Sequence, residues 1–156
     1  MSQFVTISYR DARDADSAVR QLFDSGYSPS ETSVIMTDRT RRSYIGNVNA
    51  TPIAEIVAAP GVSSKTMSID EVDDVGTPIS IGGPLSRDVE RGTRESNRLI
   101  ELIESLGVSE LDAKAAARDV GRGGVFIAMA VPDDDVASVR RVINDRGTFA
   151  ASAPRR

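Results

Sequence analysis

The 156-residue chain contains no cysteine, no histidine and no tryptophan, and its lysines number two, Lys65 and Lys114. Without cysteine, one chain cannot form a disulfide, a catalytic thiolate or a cysteine-ligated zinc or iron–sulfur site. Without histidine it lacks the usual general base, the commonest metal ligand and every Ser-His triad. Aromatic residues make up 4% of the chain, which leaves little material for a base-stacking platform. A basic excess is also missing. The net charge of −4 and the isoelectric point near 4.9 argue against a nucleic-acid partner, while leaving room for a local basic patch.

Long apolar runs are absent too. The longest, Val125 to Val131, is far shorter than the ~20 residues a membrane helix requires. The opening MSQFVTISYRDARD reaches charge after a short alternating segment and lacks the regions of a signal peptide. These features lead us to expect a soluble, cytoplasmic protein with no cofactor and no membrane partner.

What is present suits one α+β domain spanning residues 1–150, followed by a flexible tail at 151–156. An apolar content of 40% is enough for a real core. Phe4 to Tyr9 alternates like a half-buried strand. Asp11 can cap a helix carrying Ala15, Ala18, Val19, Leu22 and Phe23 at helical spacing, with Gly26 as its stop, and Thr32 to Thr37 reads as a second strand. Residues 38–77 read as an irregular connection broken by Pro52, Pro60, Gly61 and Gly76. One short helix is expected there, from Thr51-Pro52 through Ala59.

Pro78 to Gly82 reads as a third strand, with GGP as a turn. Val89, Leu99, Ile100, Ile103 and Leu106 share one face of a helix expected from Ser86 to Leu106 and closed by Gly107. Ser109 opens S-x-x-D ahead of a helix burying Ala113, Ala116, Ala117 and Val120 and ending at Gly121. Val125 to Val131 is apolar at every position, which suits a central strand covered on both faces, and Pro132 ends it. Val136, Val139, Val142 and Ile143 mark a last helix. The order βαβ, connection, βααβ, α predicts a ferredoxin-like sandwich, with one mainly antiparallel sheet and helices on one face. A flavodoxin-like parallel sheet is the alternative, and it needs more strands than the sequence offers.

Several segments resemble a known family. The opening strand, the helix ending in LFDSGYSPSETSVIMTDRTRR, GPL at Gly83 to Leu85, and the block SLGVSELDAKAAARDVGRGGVFIAMAV are similar to the general stress proteins carrying the heat-induced stress protein YflT domain. The resemblance spans roughly two thirds of the chain, implies a stress-response association and supplies no catalytic or ligand-binding residue. Relatives carry a Gly/Ala-rich apolar segment between the halves. Here Thr40 to Ile81 is polar and proline-broken, so membrane association is not carried over.

Five motifs invite chemistry. Gly121, Gly123 and Gly124 begin GxGxxG, but Phe126 occupies the third glycine position and the order runs helix to strand, opposite to a dinucleotide loop. RGGVFIAMAV echoes an RNA-binding strand, yet Phe126 is its one aromatic. Asp133, Asp134 and Asp135 suit a hard cation, but equally a helix start, and IDEVDDV departs from a calcium loop at Val72 and Gly76. GVSSKT lacks the glycines of a phosphate loop, and neither lysine completes S-x-x-K.

The fifth is the strongest. Arg87, Arg91, Arg94 and Arg98 are spaced four, three and four apart, so on one continuous helix they form a ridge able to hold phosphates or carboxylates. An acidic partner for it could be Asp70, Glu71, Asp73 and Asp74 of the same chain or of another copy. Solvated i,i+4 pairing is the plainer account. The expectation is a non-enzymatic stress-response protein acting through protein contacts, as a homo-oligomer or with another protein. The alternative is a regulatory module that binds a small ligand or anion through the arginine ridge.

Overall fold

The computed structural model describes residues 2–10, 12–27, 31–45, 53, 56, 63–69, 76–86 and 98–143. Strand β1 (Ser2–Tyr9) leads into helix α1 (Ala12–Asp24) and strand β2 (Thr32–Thr37). Helix α2 (Asp38–Ile45) follows β2 directly, and strands β3 (Ser63–Met67) and β4 (Thr77–Gly82) come next. Helices α3 (Leu99–Glu104) and α4 (Glu110–Gly121) lead to strand β5 (Val125–Pro132), a short 3-10 turn (Asp133–Asp135) and helix α5 (Val136–Ile143).

The sheet has the order β1-β5-β2-β4-β3, and every neighbouring pair is antiparallel. Because β1 and β2 both oppose β5, they run parallel to each other with β5 between them. β4 and β5 flank β2 in the same way. Two interleaved split β-α-β units result, the arrangement of a ferredoxin-like α+β domain.

Helices cover both faces of this sheet, which corrects the expectation of helices on one face. On one side α1 and α5 pack Ala15, Ala18, Val19, Leu22, Val136 and Val139 against Val5, Ile7, Val34, Ile127 and Met129. On the other, α3 and α4 pack Leu99, Leu102, Ile103, Ala116 and Ala117 against Ile35, Ile79, Ile81 and Phe126. All six residues of β2 are buried. Two crossovers of one hand in this strand order would share a face, so the pair here has opposite hands. The uninterrupted apolar run of β5 is the local signature of this double cover.

The connection at 38–77 is more regular than its composition suggests. α2 is held at its start by Thr37, whose Oγ1 accepts from the Thr40 amide at 3.1 Å, a hydroxyl cap that needs no apolar periodicity. β3 is a polar edge strand whose Met67 enters the core. Of the helix expected from Thr51 to Ala59, Ile53 and Ile56 are helical and buried, and its other residues lie outside the described ones.

The expected helix from Ser86 to Leu106 is not continuous. Arg98 is extended (φ −123°, ψ 127°), bridges Ser68 in parallel, and α3 begins only at Leu99, whose amide donates to the Ser68 carbonyl at 2.9 Å. Main-chain pairing beyond the end of β3 has claimed the residue that helical spacing assigned to a ridge. Ser109 caps α4 as its motif implies, accepting from the Asp112 amide at 3.2 Å. The tail at 151–156 lies outside the described residues.

Candidate functional site

Of the proposed arginine ridge, Arg87, Arg91 and Arg94 lie outside the described residues, as do Asp70, Glu71, Asp73 and Asp74. Arg98 is half-exposed and sets Nη1 3.9 Å from Glu101 Oε2. An ion pair of that length at the surface contributes little. Since α3 starts after Arg98, the spacing that would align it with Arg94 on one helix does not apply.

Two carboxylates that the sequence reading passed over gather polar groups at one end of the sheet. Asp119, on the last turns of α4, is 8% exposed. Its Oδ2 accepts from Ser8 Oγ at 2.9 Å, and its Oδ1 lies 3.6 Å from Arg10 Nε. Its carbonyl accepts from the Gly124 amide at 2.8 Å. Gly124 lies so close to the Tyr9 and Asp119 carbonyls that a Cβ there would sit 2.4 and 2.7 Å from them. The signal was present: Asp119 stands three residues after Ala116, on the face that α4 buries.

The second carboxylate, Asp38, begins α2. Its Oδ1 accepts from Ser64 Oγ at 3.0 Å and from Ser80 Oγ, tying α2 to β3 and β4. Thr37 and Thr40 share a hydroxyl–hydroxyl bond of 2.9 Å beside it. In both clusters a serine gives its one proton to a carboxylate, which is a weak base for a hydroxyl, and the described contacts supply no third group to activate either. Their chemistry is that of fasteners between sheet and helix.

Nearby, Tyr9 is fully buried. Burial, and then the Asp14 carboxylate, raise its phenol well above the ordinary value, so it stays a neutral hydroxyl.

The other motifs take structural places. Phe126 is 0% exposed and faces α3 and α4, so it belongs to the core and offers no stacking surface. The 121–124 segment joins helix to strand as read, with the reversal on Gly123 and Gly121 still helical. Asp133 to Asp135 form the turn before α5. Among the described residues no three potential ligands gather into a metal-binding group. Ser63 to Thr66 of GVSSKT belong to β3.

The two ends of the strand order differ in exposure. At one end, Val5 to Tyr9 of β1 are at most 2% exposed. At the other, β3 pairs with β4 alone among the described residues, and Ser64 and Thr66 are exposed. In an antiparallel pair, alternate residues direct their N–H and C=O groups away from the partner strand, and among the described residues those of β3 meet no second strand before Ser68 bridges Arg98 just beyond its end.

Comparison with protein-family models, with curated proteins and with solved structures finds no match for this chain. No helix among the described residues is long and apolar enough to cross a membrane.

Proposed function

We propose that this chain is a non-enzymatic, cytoplasmic stress-response protein that works through contacts with other proteins, further copies of itself included, and that β3 is the strand it offers to them. One observation carries the contact: among the described residues β3 is an edge strand with exposed Ser64 and Thr66, whereas β1 at the far end is buried. An added strand would pair with the main-chain groups that β3 turns away from β4 and extend the sheet. Lys65, half-buried at the middle of the edge, is the kind of residue that limits indiscriminate pairing. The stress association is supported by the sequence resemblance of the opening βαβ and of the 105–131 block.

The edge is tested by light scattering at about 0.5 M salt, where exposed charges are screened. The mean mass of the natural chain should rise above 16.7 kDa with concentration, while Thr66→Lys, whose charge an added strand would have to strip of water, a cost that salt does not screen, should remain at 16.7 kDa. Equal association by the two proteins would remove β3 from the account. A natural chain that stays monomeric would remove self-association.

A further inference from the structure

β1 closes one end of the described strand order, yet it lacks the exposure of an edge. Gly124 packs on the Tyr9 carbonyl, so Tyr9 directs its main-chain groups toward β5. Alternation along the strand then turns those of Ser8, Thr6 and Phe4 away from β5, in the plane of the sheet. Thr6 and Ser8 are nevertheless 0% and 1% exposed, as deeply buried as the residues of β2, which has a strand on each side. β3, paired with β4 alone among the described residues, shows the contrast: Ser64 and Thr66 are exposed and Lys65 is half-buried.

The helices do not account for that cover. α4 lies over β1 on one face and α5 on the other. Helices above and below a sheet bury the side chains that point up and down. Groups directed sideways need a neighbour in the plane of the sheet.

We propose that the chain supplies this neighbour itself: residues 148–152 (TFAAS) lie antiparallel along the outer side of β1 as a sixth strand and seal that edge against other chains. Position and length favour this occupant. α5 packs on β1 as well as β5 and ends at Ile143, so residues 144–156 leave the helix beside the edge in question. Asn144 to Gly147 has turn composition and a reach of up to roughly 14 Å, enough to descend from helix to sheet. At ~3.4 Å per residue, the five residues that follow match the stretch from Phe4 to Ser8. Thr148 and Phe149 favour extended backbone, and Pro154 ends pairing. The topology agrees. The connection from β1 over α1 to β2 crosses β5, and one from β5 over α5 to 148–152 would cross β1 on the same face. It starts from an opposite strand and moves the opposite way along the sheet, so the two connections share one hand.

The cover stands apart from the β3 reading, while its consequence for assembly rests on it. A sealed β1 leaves β3 as the available edge among the described strands. Two copies joined β3 to β3 use up both edges, and growth stops at a pair.

The test is NMR on the full chain carrying Thr66→Lys, in dilute solution, where β3 stays unpaired. Nuclear Overhauser effects should connect Phe4, Thr6 or Ser8 with residues 148–152, and the amides of Thr6 and Ser8 should exchange slowly. Adding Thr148→Pro and Phe149→Pro removes two successive amides, so one loss falls on the side facing β1 in any register. Thr6 and Ser8 should then exchange at least tenfold faster, while Phe126 and Ala128, turned toward β2, stay slow and show that the fold is kept. Missing Overhauser effects overturn the proposal, as do Thr6 and Ser8 amides that are fast with the natural tail or unmoved by the prolines. So does protection that appears only as the protein is concentrated, which makes a second copy the occupant. With Thr66 restored, light scattering at high salt should show the natural tail stopping at twice 16.7 kDa and the two prolines allowing larger masses. Equal masses would overturn the sealing of the edge. A natural chain that stays monomeric removes the β3 reading, and the exchange of Thr6 and Ser8 still decides the cover.

Discussion

Alanine at Gly83 is expected to lower unfolding stability by about 4 kcal/mol, among the largest effects of any single methyl group in this chain. Gly83 closes β4 with φ +88°, a conformation that an L side chain adopts at a cost. Space compounds the strain. A Cβ there would lie 2.1 Å from the Thr32 carbonyl oxygen and 2.8 Å from the Ser33 Cα, both main chain of the buried strand β2. Backbone inside a sheet cannot swing aside as a side-chain tip can. Two further bonds fix this corner: the Ser86 amide donates to the Gly83 carbonyl at 3.0 Å, and the Leu85 amide donates to Ser33 Oγ at 3.0 Å. Relief of the clash would therefore have to pull β4 from β2. Urea unfolding should show the midpoint falling steeply, and an unchanged midpoint would mean that the β4 corner does not lie against β2.

Phe126→Ala is expected to cost about 3–5 kcal/mol, through lost transfer energy and the cavity left behind. Phe126 sits in the central strand, paired with Ser8 on one side and Ile35 on the other. Its ring is fully buried beneath α3 and α4. The helix above it buries the small side chains Ala113, Ala116 and Ala117, which have no reach to fill the void. Thermal or urea denaturation measures the loss. A loss below about 1 kcal/mol would place the ring at the surface and reopen the base-stacking reading of RGGVFIAMAV.

These two residues also show where sequence alone was sufficient. The seven apolar residues from Val125 to Val131 announced a strand buried on both faces, and β5 is that strand. The alanine face of α4 and the Ser109 cap were equally plain, because each depends on chemistry within a few residues. The β-α-β opening was legible for the same reason.

What failed was long-range. One-sided helix cover followed from the simplest packing of the elements, although the β5 run already implied a second layer. α2 escaped notice because its support comes from Thr37, Asp38 and the hydroxyls of Ser64 and Ser80, not from an apolar stripe. β3 is nearly all polar and marks itself only by pairing with β4. The arginine spacing was arithmetic on an assumed helix, and the Ser68–Arg98 bridge interrupts that helix.

The central claim, that this chain acts by offering its β3 edge to another chain, is tested most directly by amide hydrogen exchange at two protein concentrations in high salt. The amides of β5 should be slow at both, since they lie in the middle of the sheet. Outward amides of Ser63–Met67 should exchange quickly in dilute solution and slow at least tenfold when the protein is concentrated. A β3 whose exchange is indifferent to concentration, while the molecule associates, would contradict the account.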